Sequence, residues 1–225
     1  MTFDRPAYRE PAGSCSVREI TAGPAGPVRI ELRFVPSGGQ LLISGPSIPL
    51  VSVQRIESAK DLARRERADA RAVARGKPTA YESHRANRFR IWAAQADLFS
   101  RRPRAVSMRV AGVKAELRPG GGHLLRSSFD VRAQVNARNY LLSQSGRRAA
   151  QVLRDGRLLA RLRRKAGDRM NRRYDGDVIW EAGADDVDVA ITHALANAYR
   201  VGSDGFLLNL LKWIAAVALA VAFSG

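Results

Sequence analysis

The stretch AAQVLRDGRLLARLRR, residues 149–164, decides how the chain is read. Asp155-Gly156 lies between two apolar-rich runs and carries the chemistry of a two-residue hairpin turn, which needs positive φ at both central positions. Within 157–164, Leu158, Ala160 and Leu162 fall on one face of a strand, and Arg157, Leu159, Arg161 and Arg163 fall on the other. One face is therefore apolar and the opposite face largely cationic.

Outward from this hairpin the same pattern recurs. Residues 105–182 divide into short strands at 105–110, 113–117, 123–126, 129–135, 139–143, 149–154, 157–164 and 177–181. The joints carry Ala111-Gly112, Pro119-Gly120-Gly121-Gly122, Ser145-Gly146, Asp155-Gly156 and Asp175-Gly176. Strands so closely spaced predict an antiparallel barrel or sandwich. Upstream, VRIELRFV (28–35) alternates Val28, Ile30, Leu32 and Phe34 against Arg29, Glu31 and Arg33. The glycine turn at 36–39, a return through Leu41-Leu42-Ile43 and a third strand at 48–53 complete that hairpin group.

Two helical insertions are expected between these groups, together spanning 56–99. ESAKDLARRERADARAVAR (57–75) has no broad apolar stripe, Asp61 and Arg65 form an i,i+4 pair, and Gly76-Lys77-Pro78 stops it. From 84 to 99, with Ser83 as cap, Phe89, Trp92, Ala96 and Phe99 share one helical face. A third helix is expected over 185–201. Asp185, Asp186 and Asp188 suit its N-terminal end, and Gly202 ends it. Its face of Val187, Ala190, Ile191, Ala194, Leu195, Ala198 and Tyr199 suits packing into a sheet. Residues 1–27 read as a flexible N-terminus before a β-rich domain over 28–201. The fold class is thus α+β: a barrel-like or sandwich domain with a helical insertion and two C-terminal helices.

The second of those C-terminal helices, FLLNLLKWIAAVALAVAF (206–223), contains Asn209 and Lys212 as its polar residues. At 1.5 Å per residue it would span about 27 Å, close to the thickness of a bilayer core. Its anchor residues would be Phe206, Leu207, Leu208, Leu210, Leu211, Trp213, Ile214, Val217, Leu219, Val221 and Phe223, with Lys212 snorkelling toward the headgroups. The alternative is a helix filling a soluble core.

Charge supports the membrane reading. The chain has 225 residues, 38 basic and 21 acidic, for a formal net charge of +17. Residues 177–225 hold six acidic and two basic residues, which leaves +21 on residues 1–176. This puts the basic excess ahead of the apolar segment, as the positive-inside rule requires of a cytoplasmic domain on a single C-terminal span. MTFDRPAYREPAG (1–13) has no apolar run of the kind a signal peptide needs. The alternative location is cytoplasmic throughout.

The densest basic cluster is Arg161, Arg163, Arg164, Lys165, Arg169, Arg172 and Arg173, with Arg147 and Arg148 near it in sequence. Such a cluster predicts an anion-binding surface. The partners expected are anionic membrane lipids or a membrane protein, with nucleic acid as the alternative. Against nucleic acid, aromatic residues make up 7% and no helix-turn-helix or RNP pattern is present.

No catalytic pattern accompanies these features. Cys15 is a single cysteine and cannot form an intramolecular disulfide. The glycines at 120–122 precede His-Leu-Leu, not the Lys-Ser/Thr of a phosphate loop. His193 lies five residues after Asp188, out of phase for an acid–base pair, and reads as a packing or surface residue. A non-enzyme needing no cofactor and no metal is expected.

The order of elements, and especially Tyr140-Leu141-Leu142 followed by the 149–162 hairpin, resembles the tubby C-terminal and phospholipid-scramblase superfamily, including LURP-one-related proteins. The resemblance implies a barrel closed around an apolar helix near its C-terminal end. This chain departs from that pattern in having two apolar C-terminal segments and the 56–99 insertion. Either segment could be the threaded one. If 206–223 is the anchor, truncation after residue 205 should leave a cooperatively folded protein that is recovered without detergent. Unfolding of the truncated chain, read by circular dichroism, would assign 206–223 to the core instead.

Overall fold

The computed structural model describes residues 14–21, 23–35, 38–56, 59–79, 106–121, 126–165, 176–199 and 201–202. The expected helix at 84–99, Arg169, Arg172, Arg173 and the apolar segment 206–223 lie outside the described residues. Among the described residues no helix is long and apolar enough to cross a membrane.

Among the described residues eleven strands form one antiparallel sheet in strict chain order. They are β1 (Ser14–Thr21), β2 (Pro27–Val35), β3 (Gly38–Ser44), β4 (Val51–Arg55), β5 (Val106–Val110) and β6 (Val113–Pro119). The second half is β7 (Val131–Val135), β8 (Arg138–Ser143), β9 (Ala149–Arg154), β10 (Arg157–Arg164) and β11 (Gly176–Trp180). Helix α1 (Ala59–Ala74) stands between β4 and β5, and helix α2 (Asp186–Tyr199) follows β11. Each strand pairs with its chain neighbours, and β1 and β11 do not pair with each other, so the sheet is not closed.

Alternation sets which way each side chain faces. In β2, Val28, Ile30 and Leu32 are buried, as the period predicts. In β7, Val131, Ala133 and Val135 point inward, while Arg132 and Gln134 are exposed. The Asp155-Gly156 turn is as expected, with φ of 49° and 81°. Positive φ at both centres matches the right-handed twist of the strands that it joins.

Helix α2 fills the concave side. It packs against β3 and β4 from one half of the sheet and against β8 and β10 from the other. Val189, Ala190, Ile191, Ala194, Leu195, Ala196 and Ala198 have no exposed surface. The sequence predicts a helix with one polar side, docked on a sheet. Here Asp188, Thr192, His193 and Asn197 are buried too, so α2 is enclosed on all sides. Asp188 and Asn197 find hydrogen-bond partners there, whereas the Thr192 hydroxyl is buried without one among the described residues. Asn197 Nδ2 donates to the His193 carbonyl at 2.9 Å, and the His193 ring lies 6.1 Å from that of Trp180. The small side chains at 190, 194, 196 and 198 let the strands approach the helix backbone.

Past the helix, Gly202 takes φ 81° and its N–H donates to Gln144 Oε1 at 2.7 Å. A Cβ at this position would lie 2.3 Å from the Arg147 carbonyl oxygen, so glycine is required twice over.

Three expectations need correction. Residues 1–27 read as a loose leader, yet β1 pairs with β2 over Ser14–Thr21 and a 3-10 turn covers Gly23–Ala25. Val17 and Ile20 stand three apart in SCSVREIT, so no period of two marks this strand, which pairs regularly over Ser16–Thr21. The strand expected at 123–126 is not formed at its one described residue, since Arg126 opens a 3-10 turn, Arg126–Phe129. Leu159 is buried, not outward with Arg157, because the β9–β10 register shifts between Leu158 and Ala160.

Leu195→Asp should destabilise the fold by several kcal/mol, because the carboxylate would have no partner inside the sheet. The check is a denaturant melt followed by circular dichroism.

Candidate functional site

Two basic regions lie on the convex side of the sheet, and the strand register positions both. The first is the cluster expected from sequence. From Ala160 onward β10 alternates, so Arg161 and Arg163 are exposed while Leu162 and Arg164 are buried. Arg164 therefore leaves the expected surface; its backbone N–H donates to the Arg148 carbonyl at 2.8 Å. Arg147, Arg148 and Lys165 are exposed near it. The acidic C-terminal part offsets this cluster. Arg161 Nε donates to Glu181 Oε1 at 3.2 Å, and Arg163 stands directly opposite Asp177 on β11.

The second region was not singled out from sequence. Arg109 of β5 stands opposite Lys114 of β6, and Arg118 of β6 stands opposite Arg132 of β7. All four side chains are exposed. Like charges directly opposite on neighbouring strands destabilise a sheet. One acid lies among them: Glu116 accepts from Arg118 Nε at 2.8 Å. No ion pair engages Arg132 among the described residues. Arg132 next faces Leu141 of β8, which faces Leu153 of β9. Arg118, Arg132, Gln134, Asn139, Leu141 and Leu153 line a shallow groove of about 220 Å³. Finding it from sequence would have required the β6–β7 register, and the glycine-rich joint at 119–122 does not fix that register.

A third cluster, at the N-terminal end of α2, is structural. Asp185 and Asp188 cap reciprocally: the Asp188 N–H donates to Asp185 Oδ1 at 2.9 Å, and the Asp185 N–H to Asp188 Oδ2 at 3.0 Å. The buried Asp188 carboxylate also accepts from Tyr140 Oη at 2.8 Å and pairs with Arg154. Arg138 donates to Asp185 Oδ2 at 2.7 Å. Burial pushes the Tyr140 hydroxyl well above the ordinary tyrosine value, and its bond to Asp188 adds to the shift. Burial would also raise the Asp185 carboxyl. The Asp188 amide, Arg138 and Arg154 outweigh it and hold that carboxyl below its usual value. Every charged group in the cluster has a fixed partner, so it holds the helix and exposes no free acid or base. Among the described residues no group of His, Cys, Asp and Glu is arranged to hold a metal ion.

No protein-family model, curated protein or solved structure matches the chain. These comparisons give no support to the tubby and scramblase resemblance. The functional reading therefore rests on the surface geometry and the charge.

Asp188→Asn should cost about 3 kcal/mol, because it leaves Arg154 without its buried counter-charge. The depressed Asp185 carboxyl contributes stability that is present above roughly pH 4 and lost as pH falls below it. A series of urea melts from neutral to acid pH should show that loss, with Asp185→Asn flattening it.

Proposed function

We propose that this protein is a non-enzymatic, basic β-domain that binds anionic phospholipids at a membrane surface. The observation that carries the reading is the convex face of β5–β7. Two like-charge pairs, Arg109 with Lys114 and Arg118 with Arg132, stand on that face four residues apart along β6, with Glu116 the one acid between them. A sheet that keeps such pairs exposed gains stability when an anionic surface neutralises them. Arg147, Arg148, Arg157 and Lys165 add charge on β9, β10 and their joints. Each basic residue near an anionic bilayer contributes roughly 1 kcal/mol, so a few suffice for reversible attachment.

The segment 206–223 would tether this domain to the membrane, with the basic domain on the cytoplasmic side. A buried helix within an antiparallel sheet is in keeping with what the tubby and scramblase resemblance implies, whereas the unjoined β1 and β11 edges depart from it.

Co-sedimentation of the full chain with vesicles tests the reading. Phosphatidylcholine vesicles give the baseline owed to the apolar segment. Adding phosphatidylserine should raise the bound fraction, and added salt should remove that gain. No gain with phosphatidylserine would overturn the reading. If duplex DNA then bound with a steep salt dependence, nucleic acid would take the lipid's place as ligand.

A further inference from the structure

We infer that the groove between Arg118, Arg132, Leu141 and Leu153 is a discrete site for one anionic phospholipid molecule, with the phosphate between the two arginines and the first methylenes on the two leucines. The inference rests on the lipid reading above and adds to it a single stoichiometric site.

The register brings the parts together. Arg118 is opposite Arg132, Arg132 is opposite Leu141, and Leu141 is opposite Leu153, so one row crosses four strands from charge to apolar surface. Side chains directly opposite have Cβ atoms roughly 5 Å apart, close enough for two guanidinium groups to share one phosphate. Glu116 already engages Arg118, which among the described residues leaves Arg132 as the cation with its charge uncommitted. The groove therefore carries a net single positive charge, which suits one phosphate better than a polyanion. Gln134 and Asn139 border it and offer amide donors for ester oxygens. Asn139 Nδ2 already donates to Asp155 Oδ1 at 3.2 Å, which holds that amide in place.

The apolar end separates lipid from other phosphates. Leu141 and Leu153 are half-buried, and a nucleic-acid backbone offers nothing apolar to cover them. A volume of about 220 Å³ accommodates a headgroup and the start of its chains, not two whole acyl chains. The rest of the lipid would stay in the bilayer, so the groove would hold a lipid without extracting it.

The test is calorimetric titration of the full chain with dihexanoyl phosphatidic acid below its micellar range, beside glycerol phosphate and dihexanoyl phosphatidylcholine. Saturable binding of one dihexanoyl phosphatidic acid per chain is expected, with the other two compounds much weaker. The double variant Arg118→Gln/Arg132→Gln should lose about tenfold or more in affinity, since two charge-assisted bonds go. Arg64→Gln/Arg67→Gln removes as much charge from exposed positions of α1 and should bind as the unaltered chain does. Leu141→Ala/Leu153→Ala should weaken the lipid while leaving glycerol phosphate unchanged.

Equal binding by the Arg118/Arg132 variant, or glycerol phosphate binding as tightly as the lipid, would overturn the inference. Failure of the broader reading looks different. There the vesicle experiment shows no gain with phosphatidylserine, whatever the titration gives.

Discussion

The Asp188 carboxylate sits out of contact with water on the first turn of α2, and the placing of the helix depends on what surrounds it. A lone carboxylate in that position would be untenable. Tyr140 from β8, Arg154 from β9 and the Asp185 amide converge on it, so the charge is solvated by the protein itself. These partners come from adjacent strands, which ties the helix end to one edge of the interior. Removing one partner is costly, whereas the intact network contributes mainly by specifying a single arrangement. It decides which way the helix points and how deeply it enters. At the far end Gly202 repeats the task by backbone means, with its N–H on Gln144 and its Cα against the 146–148 bend.

With both ends pinned, small residues decide how close the sheet comes. Ala190, Ala194, Ala196 and Ala198 have no exposed surface. The strand side chains facing them are larger, Ile43, Val51, Leu142 and Leu162 among them, and close packing then needs little more than interdigitation. Because the helix takes up the concave side, the proposed ligand would meet the convex side. There alternation puts the arginines, and register decides which of them meet.

Much of this was legible in the sequence, for physical reasons that differ by element. Period two in 28–35 and 157–164 announced half-buried strands, and Asp155-Gly156 announced its turn, because these signals are local. Strand β1 was not legible, since Val17 and Ile20 are three apart and show no period of two. The burial of α2 from Asp188 to Tyr199 was hidden for a different reason. Asp188 and Asn197 read as a wet side until the strands are in place around them, and Tyr140, which bonds Asp188, lies 48 residues away. The site was the least legible part. A cationic run such as 161–165 can be read along the chain, but pleating sent Arg164 inward, and the acids of β11 and the turn after it offset Arg161 and Arg163. The Arg118–Arg132 pair lies across strands, where no pattern along the chain reveals it.

The order of elements bears on how the protein is made. Each of the eleven strands can pair with its predecessor as it leaves the ribosome, since every pairing joins chain neighbours. The helix that covers their apolar side follows all of them. During synthesis a growing sheet would therefore present Ile30, Leu41, Val53, Met108 and their neighbours to solvent until the helix follows. Exposed apolar surface of this kind is what chaperones shield, and residues 186–199 must emerge before the chain can cover it.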